Sequence, residues 1–520
     1  MSALAAGALA PHIAGAFAPA PGPVTPPADD PFYTPPPGFS QAPDGAVLRS
    51  RSVTATAYGA PLPAHAWQLL YRSEDSAGGA TAEVTTVMIP NTAWTGQGAR
   101  PVVSYQTAED SVGSQCAPSY AIRTGLAADS NAQGEVGTMA GLLQKGWAVV
   151  TSDYEGPQSQ FLAGRQEGHG VLDGIRAALS DRLDGLGSGD PVALWGYSGG
   201  AFTSSWAAEL QPRYAPELRF RGLAIGGDPA DLLRSFAQVD GSYGFGLAIG
   251  GMIGLERAFP RAGIGAMFTP AGQRALAASR EDCTDELLAR YPFGHIANYT
   301  YDQRPLDQTP LSRTLVLNGP LGKGAPSVET PVYDYHAIPD ELVPVAVDDE
   351  LVAGYCAARV PVQKVRYSYG DHNSTLFTGA PGAEQFLAER FAGQPIVDTC
   401  PPRSAGSGAR ARRRTVIATG PRSRARPGSI SLAARPPETL VGIRWRRWGT
   451  LSATARARFV VAGRAFGAYV TVGRLRQCAV TGPPVTDVFA YTRLRYVLSG
   501  RLPRGLHRRS LRRLGCPRQV

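Results

Sequence analysis

The chain has 520 residues, of which 43% are hydrophobic, so it is long enough for two or three domains with buried cores. Its apolar runs are shorter than the roughly 18 residues of a membrane-spanning helix, so no transmembrane segment is expected. The net charge of +9 is unevenly distributed. Residues 401–520 contain 26 arginines and two carboxylates, a net charge of +24, whereas residues 1–400 carry 25 basic and 40 acidic residues, a net charge of −15. Parts of opposite charge indicate separate modules.

The N-terminal residues 1–20 are apolar, rich in alanine, and contain the small-residue sequence Ala16-Phe17-Ala18 near their end. This pattern is typical of a secretory signal with its cleavage site, although the basic start of such signals is missing. A disordered Ala/Pro tail is the alternative interpretation.

Six cysteines, at positions 116, 283, 356, 400, 478 and 516, favour the first interpretation. They lie far apart, and none belongs to a CxxC or Cys/His cluster, so bound zinc is not expected. An even number of widely spaced cysteines is typical of disulfides in an oxidising compartment. The sequence therefore predicts a secreted, extracellular protein.

Strands and helices alternate over residues 46–229, after a Pro-rich segment at residues 21–45 that we interpret as a linker. Such alternation predicts an α/β fold with a mostly parallel central sheet covered by helices on both faces. The predicted strands are Ala80–Ile89, Val102–Gln106, Trp147–Asp153 and Pro191–Trp195, and the predicted helices include Gly170–Ser180 and a segment that ends near Leu210.

Residues 230–310 interrupt this pattern with apolar segments of helical spacing. An insertion between core strands is where such a fold places a helical cap, although an extra layer of core helix fits the composition equally well. The strand pattern resumes at Thr314–Asn318 and continues at Val332–Tyr335 and Val362–Tyr369. The α/β core is thus predicted to comprise residues 46–229 and 311–402.

The C-terminal part consists of a Ser/Gly/Arg linker at residues 403–414 and an Arg-rich segment at residues 415–520. Short β-like runs in this segment predict a small all-β domain. Its charge would suit adhesion to an anionic envelope surface. However, the chain has only three lysines against 48 arginines, so arginine also fills ordinary solvated positions, and we favour a neutral scaffold. Nucleic-acid binding is not expected.

The sequence Gly196-Tyr197-Ser198-Gly199-Gly200 lies between a predicted strand and a predicted helix. In that context a GxSxG motif indicates a nucleophilic serine, because the sharp turn has no room for larger neighbours and exposes the serine hydroxyl. The amide of Gly199, at the start of the helix, would point at a developing oxyanion. A plain Gly-rich turn is the less favoured alternative.

A nucleophilic serine needs a histidine base and an acid that orients it, in the chain order Ser, acid, His for α/β-hydrolases. His372 follows a predicted strand and is our candidate base. Asp340 is the candidate acid, and Glu341 could exchange roles with it. We expect Asp348 and Asp349 to lie at an exposed helix start with an N-cap role. His336 is expected to pack beside the acid, and His295 to have a polar structural role.

Several further motifs resemble the secretory lipase family, typified by Candida antarctica lipase A. The similarity extends from about residue 30 to residue 400, with the motifs in order. They are Asp30-Pro31-Phe32-Tyr33, Glu109-Asp110-Ser111, Cys116-Ala117-Pro118-Ser119-Tyr120, Asp153-Tyr154-Glu155-Gly156, Leu172-Asp173-Gly174-Ile175-Arg176, Gly196–Gly200 and His336–Pro344.

The resemblance implies an α/β-hydrolase with Ser198, Asp340 and His372 as catalytic residues and an oxyanion hole formed by Asp110 and Gly199. It also implies disulfides Cys116–Cys283 and Cys356–Cys400, which leave Cys478 and Cys516 to pair, and a cap that carries an acyl-chain tunnel. The Arg-rich C-terminal segment has no counterpart in the fungal lipase.

The sequence thus predicts a carboxylic ester hydrolase, specifically a triacylglycerol lipase with a lipid or ester substrate and no cofactor or metal. Two alternatives remain open at this point. One is a serine peptidase on the same fold, because a fold does not determine a substrate. The other is a catalytically silent protein that binds a surface through its C-terminal segment.

Overall fold

A computed structural model describes residues 24–125, 130–323 and 326–401 and, beyond these, the backbone of seven strands. The signal-like residues 1–20, the linker at 403–414 and the pairing of Cys478 with Cys516 lie outside the described residues. The helices are α1 (Pro118–Thr124), α2 (Ser130–Gln144), α3 (Gly164–Ser180), α4 (Gly199–Tyr214), α5 (Leu232–Val239), α6 (Phe245–Ala258), α7 (Pro270–Ala278), α8 (Thr284–Arg290), α9 (Pro310–Asn318), α10 (Val345–Ala358) and α11 (His372–Phe391). The strands up to residue 401 are β1 (Val47–Val53), β2 (Thr56–Ala57), β3 (Ala60–Pro61), β4 (Ala64–Glu74), β5 (Ala80–Pro90), β6 (Val102–Gln106), β7 (Ala148–Ser152), β8 (Val192–Tyr197), β9 (Phe220–Gly226), β10 (Val332–Ala337) and β11 (Val362–Tyr367).

Nine of these strands form one mixed sheet in the order β1-β4-β5-β7-β6-β8-β9-β10-β11. The last six strands in this order, β7, β6, β8, β9, β10 and β11, are parallel, as predicted. The first three strands are antiparallel instead, which the interpretation of residues 46–229 as alternating strands and helices missed. β4 and β5 pair directly through a short turn in which Gly78 has a φ of 84°, so no helix separates them.

Helices cover both faces of the sheet, because its buried strands present apolar side chains alternately to each side. In β8, Val192 and Leu194 belong to a core cluster that includes Val171 of α3. Ala193 and Trp195 point to the other face and belong to a cluster that includes Phe386 of α11.

The Pro-rich segment is not a loose linker in its described part, residues 24–45. It contains two short 3-10 turns, Pro31–Tyr33 and Phe39–Gln41, and its aromatic side chains pack against Leu70 and Val84 of the sheet. An ion pair of 2.6 Å between Asp30 and Arg51 adds a polar tether. The high proline content of this segment therefore did not predict that it packs against the sheet.

Residues 230–310 contain the helices α5 to α8. Their apolar side chains form a separate core cluster with Phe161, Leu162, Phe202 and Trp206. The expected strand at Thr314–Asn318 is wrong, because these residues end helix α9. Pro310 opens that helix behind the N-cap Thr309, whose hydroxyl accepts the Ser312 N–H at 3.1 Å.

The described strands beyond residue 401 form one antiparallel sheet of seven strands. Its order is β13-β14-β15-β16-β17, with β12 and β18 on the outer side of β17. The strands are β12 (Ile417–Thr419), β13 (Ser429–Ala434), β14 (Pro437–Trp448), β15 (Ser452–Val461), β16 (Arg464–Cys478), β17 (Val488–Ser499) and β18 (Arg509–Arg513). Among the described helices of the whole chain, none is both long and apolar enough to cross a membrane.

Candidate active site

Four predicted site residues follow strands of the parallel part of the sheet. Asp110 follows β6, Ser198 joins β8 to α4, Asp340 follows β10, and His372 is the first residue of α11, beyond β11. The carboxyl ends of parallel strands meet at one edge of a sheet, which is where α/β folds bring functional side chains together.

Ser198 occupies a sharp turn between strand and helix, with a φ of 54° and a ψ of −123°. Its amide donates a hydrogen bond of 2.8 Å to the carbonyl of Gly226. The neighbouring glycines leave the space that this turn needs: a Cβ atom at Gly196 would overlap the backbone of Gly200, and one at Gly200 would overlap the carbonyl of Gln106. The motif is therefore a strained elbow rather than a plain flexible turn.

The three residues predicted as nucleophile, base and acid are in hydrogen-bond contact. Oγ of Ser198 lies 2.8 Å from Nε2 of His372, and Nδ1 of His372 lies 2.7 Å from Oδ2 of Asp340. The His372 backbone is fixed as well, because Tyr197 donates its hydroxyl to the His372 carbonyl at 2.7 Å and Glu341 accepts the His372 N–H at 3.1 Å. Glu341 thus braces the histidine and does not take the place of Asp340.

Asp340 is buried and has partners on both oxygens. Oδ1 accepts the amide hydrogens of Leu342 and Val343 at 2.9 and 2.8 Å. Oδ2 contacts His372 and, at 2.9 Å, Nε2 of His336. Burial alone would raise the pKa of Asp340, but the two histidines outweigh it and hold the pKa below its usual range, so the carboxylate stays ionised.

Asp110 lies beside Gly199, the first residue of α4. A Cβ atom at Gly199 would overlap Oδ1 of Asp110, so the carboxyl packs directly on the helix start. Oδ1 has no hydrogen-bond partner within the described part of the chain. Burial raises the pKa of Asp110 to about 6, opposed only by the charge of His372, so the protonated form is accessible near neutral pH.

A pocket with an empty volume of about 490 Å³ extends from these residues into the helical insertion. The helices α5 and α6 supply much of its wall, and the polar residues Ser198, His372 and Asp110 lie on its lining. The apolar part of that lining consists of Phe161, Leu162, Pro229, Leu232, Phe236, Val239, Leu247, Ala248, Leu342 and Val343.

Two competing acids lie elsewhere than expected. Asp348 is not at an exposed helix start: it is fully buried inside α10, and its Oδ2 lies 2.5 Å from Nδ1 of His336. Asp349 is exposed but caps no helix, and it pairs with Lys364 at 2.6 Å. The N-cap of α10 is Pro344, so the N-cap interpretation of both residues is wrong.

The two other histidines lie where the sequence analysis expected them. His336 packs beside Asp340. His295 is exposed on the helical insertion, with Nδ1 3.4 Å from Asp240. Both disulfides that the resemblance implied within the described residues, Cys116–Cys283 and Cys356–Cys400, are present.

Sequence reasoning missed how the helical insertion holds the loop that carries Asp110. The Thr284 hydroxyl is 2.8 Å from the carbonyl of Glu109 and 3.0 Å from that of Asp110. The amide of Val112 donates to the carbonyl of Asp282 at 3.1 Å. No sequence signal links these segments except the cysteines next to them.

Comparison with known proteins shows which family this chain resembles in sequence and fold. The secretory lipase family model matches residues 123–399. A Mycobacterium tuberculosis protein named "Probable inactive lipase" is 36% identical over 381 residues, which cover 72% of this chain and 84% of that protein. Lipase A of Arthroderma benhamiae is 33% identical over 389 residues, covering 72% and 82% of the two chains.

The crystal structure of Candida antarctica lipase A is similar with a TM-score of 0.68 and 32% sequence identity. The match covers 74% of this chain and 91% of that lipase. It includes the α/β-hydrolase fold that the sequence predicts. The chain belongs to the secretory lipase family.

Proposed function

We propose that this chain is a secreted carboxylic ester hydrolase, specifically a triacylglycerol lipase, that acts through Ser198, His372 and Asp340. The observation that carries the proposal is the unbroken contact from the serine hydroxyl to the histidine and on to the carboxylate, on the lining of an apolar pocket. Such a pocket suits an acyl chain. Two disulfides agree with an extracellular location.

His372 would take the proton of Ser198 as the hydroxyl oxygen attacks the ester carbonyl. Asp340 would hold the imidazole in the tautomer whose Nε2 is free to accept that proton, and would stabilise the imidazolium that forms. The alcohol leaves with a proton from His372, and an acyl-enzyme remains. Water then attacks the acyl-enzyme with His372 as the base, which releases the acid and restores the serine.

The Gly199 amide and the protonated Asp110 carboxyl would donate hydrogen bonds to the oxyanion of the tetrahedral intermediate. Gly199 is at the start of α4, where backbone N–H groups have no partner within the helix. Each such donor stabilises the transition state by about 3–4 kcal/mol in comparable sites.

Family membership alone does not establish turnover, because one relative is named an inactive lipase. A fluorophosphonate probe and a chain-length series of nitrophenyl esters and triglycerides test the proposal. We expect the wild type to react with the probe at Ser198 and to hydrolyse the esters, and Ser198→Ala to lose both reactions by several orders of magnitude.

The matched control is Ser50→Ala, which removes an exposed serine hydroxyl from β1 and should leave both reactions unchanged. Turnover that survives in Ser198→Ala contradicts the assigned nucleophile, and a wild type inert toward probe and esters contradicts the proposed activity. Faster cleavage of an amide than of the ester with the same acyl group would instead indicate a peptidase.

A further inference from the structure

His336 is the second histidine in contact with Asp340 and takes no part in the proposed proton transfers. It is the penultimate residue of β10 and is fully buried. Its Nε2 lies 2.9 Å from Oδ2 of Asp340, the same oxygen that contacts Nδ1 of His372 at 2.7 Å. One carboxylate oxygen is thus shared by two imidazole rings.

Both ring nitrogens of His336 face acceptor oxygens. Nε2 is also 3.1 Å from the carbonyl of Val343, and Nδ1 is 2.5 Å from Oδ2 of Asp348. Carbonyl and ionised carboxylate oxygens only accept hydrogen bonds, so each nitrogen must carry a hydrogen. A neutral imidazole carries one hydrogen, whereas an imidazolium carries two. The contacts therefore favour a positively charged ring between two carboxylates.

The surroundings of His336 on every packed element are dominated by carboxylates. Burial alone would lower the pKa of His336, but the charge of Asp348 and the hydrogen bonds to Asp340 and Asp348 outweigh it and raise the pKa to about 10. The charged and titratable groups around the ring are Asp228 after β9, Asp334 in β10, Asp340 after β10, Asp348 in α10, Arg366 in β11 and His372 at the start of α11.

We propose that His336 is a positioning residue: a permanent imidazolium that fixes the shared oxygen of Asp340 and whose positive charge acts on His372 across that oxygen. The inference rests on the proposed role of His372 as the base. Because both rings contact one oxygen, their nitrogens are no more than about 6 Å apart, a distance at which a buried unit charge shifts a pKa appreciably. The positive charge of His336 opposes protonation of His372.

The test variant is His336→Gln, whose amide N–H can still reach an acceptor but carries no charge. We expect the acid limb of the kcat/KM profile for a nitrophenyl ester to move to higher pH, by roughly half a unit to one unit, because His372 protonates more easily. We also expect kcat to fall roughly tenfold while KM changes less than about threefold, since Asp340 is held less firmly.

The matched control is His295→Gln, the same substitution at an exposed histidine of the helical insertion outside the pocket lining. It should leave both kcat and the acid limb unchanged. A lower kcat with an unmoved acid limb in His336→Gln would show that His336 has only a structural role and would overturn the proposal.

NMR of the histidine ring nitrogens in the full-length wild type gives an answer even if His336→Gln does not fold. An ordinary histidine loses its second proton near pH 6.5. We expect one of the seven histidines to keep both ring protons at about pH 8.5, and a spectrum in which every histidine is neutral there overturns the proposal.

The same preparations separate this inference from the proposed function. If the wild type hydrolyses esters and reacts with the probe while the His336 outcomes fail, only the positioning role is lost. If the wild type does neither, the proposed hydrolase activity itself is wrong, whereas the NMR result still reports whether His336 is charged.

Discussion

Asp110 carries a carboxyl group at a place where hydrolysis would need a hydrogen-bond donor, so its protonation state should appear in the pH profile. The left-handed backbone of Asp110, with a φ of 46°, points to a position held by its surroundings. Because burial raises its pKa to about 6, the donor is present below that pH and is lost as the pH rises through it. An oxyanion at this place would favour the protonated form further.

We therefore predict a basic limb in the kcat/KM profile of the wild type that begins above about pH 6 and disappears in Asp110→Asn. An asparagine amide donates at every pH and tolerates a left-handed backbone. Asp110→Ala, which has no donor, should lose roughly 100-fold to 1,000-fold in kcat below about pH 6, and this loss should shrink at higher pH as the wild-type carboxyl loses its own proton.

Steady-state kinetics with one nitrophenyl ester across the pH range measure these effects. Asp181→Asn, at an exposed carboxylate after α3, is the control and should keep the wild-type profile. An unchanged basic limb in Asp110→Asn would rule out Asp110 as the titrating donor.

At the level of single residues, the sequence predicted which side chains come together in the candidate site better than it predicted the burial and contacts of their neighbours. Ser198, His372 and Asp340 could be chosen because motif, chain order and family resemblance restrict the candidates. Asp348 could not be placed: an Asp near a helix start is usually a surface cap, and only the tertiary contact with His336 explains its burial. Contacts between distant segments leave no periodic signal in the chain.

Among the elements, the helical insertion and the loop that carries Asp110 form one connected unit. The disulfide Cys116–Cys283 joins them across 167 positions of the chain. Arg257 of α6 adds a donated hydrogen bond of 2.7 Å to the carbonyl of Val112. The insertion therefore forms a wall of the pocket and also holds the backbone that presents Asp110.

Thr284 makes the contact closest to Asp110 and provides the test of this connection. Thr284→Val keeps the side-chain shape, removes the hydroxyl donor of the buried Asp110 carbonyl and leaves the Glu109 carbonyl with the Ser111 hydroxyl as its remaining hydroxyl donor. We predict a loss of about 1–3 kcal/mol in the free energy of unfolding, and a kcat for ester hydrolysis that falls severalfold because Asp110 is held less firmly.

Thermal unfolding and steady-state kinetics are the measurements. Thr284→Ser, which retains the hydroxyl, should recover most of the lost activity, and Thr92→Val, at an exposed threonine, should change neither quantity. An activity loss that Thr284→Ser shares in full would point to packing of the methyl group rather than to the hydrogen bonds.

The elements show where periodicity misleads. Residues 314–318 contain three consecutive apolar residues, which favour a strand, but the buried positions Leu311, Thr314, Leu315 and Asn318 follow helical spacing. The start signal, Thr309 followed by Pro310, was available in the sequence. The antiparallel pair β4 and β5 was missed because β4 was not recognised as a strand.

Across the whole molecule, the two sheets differ in how far the sequence determined them. Five of the six parallel strands of the large sheet were predicted within a few residues, because each is a short apolar run bounded by turns, whereas β9 was not among the predicted strands. In the C-terminal sheet four predicted β-like runs fall within longer strands, and two extend beyond the strands that they overlap. The four are Ile430–Ala433, Leu440–Trp448, Ala468–Val472 and Tyr491–Leu498, and the two are Thr415–Thr419 and Phe459–Ala462. β18 was missed, since its sequence Arg-Ser-Leu-Arg-Arg lacks apolar alternation. That this sheet is a separate all-β domain with a scaffold role stays a prediction.

Buried carboxyl groups are the property of the whole fold that should govern its stability. Burial raises the pKa of Asp153 to about 7 and that of Glu167 to about 8. For Asp334, burial and the nearby charge of Asp348 together raise the pKa to about 7. Glu167 accepts a hydrogen bond of 2.5 Å from the Thr203 hydroxyl, and its side chain is buried. These groups favour the protonated form in the folded state.

A carboxyl whose folded-state pKa is raised contributes stability that is complete below its unfolded pKa of about 4 and is lost as the pH rises through the folded value. We therefore predict that Tm is highest in mild acid, near pH 5, and falls by several degrees as the pH rises through about 6 to about 8. The effect of Asp340 on stability has the opposite sign, because its lowered pKa contributes stability only above about pH 4. Asp340 therefore limits the Tm maximum on the acid side.

Glu167→Gln removes one ionisation and should flatten the decline of Tm with pH, whereas Glu329→Gln, at an exposed site, should not. A Tm that rises steadily from pH 5 to pH 9 in thermal denaturation would mean that these carboxyl groups are ionised in the folded protein, and would contradict the prediction.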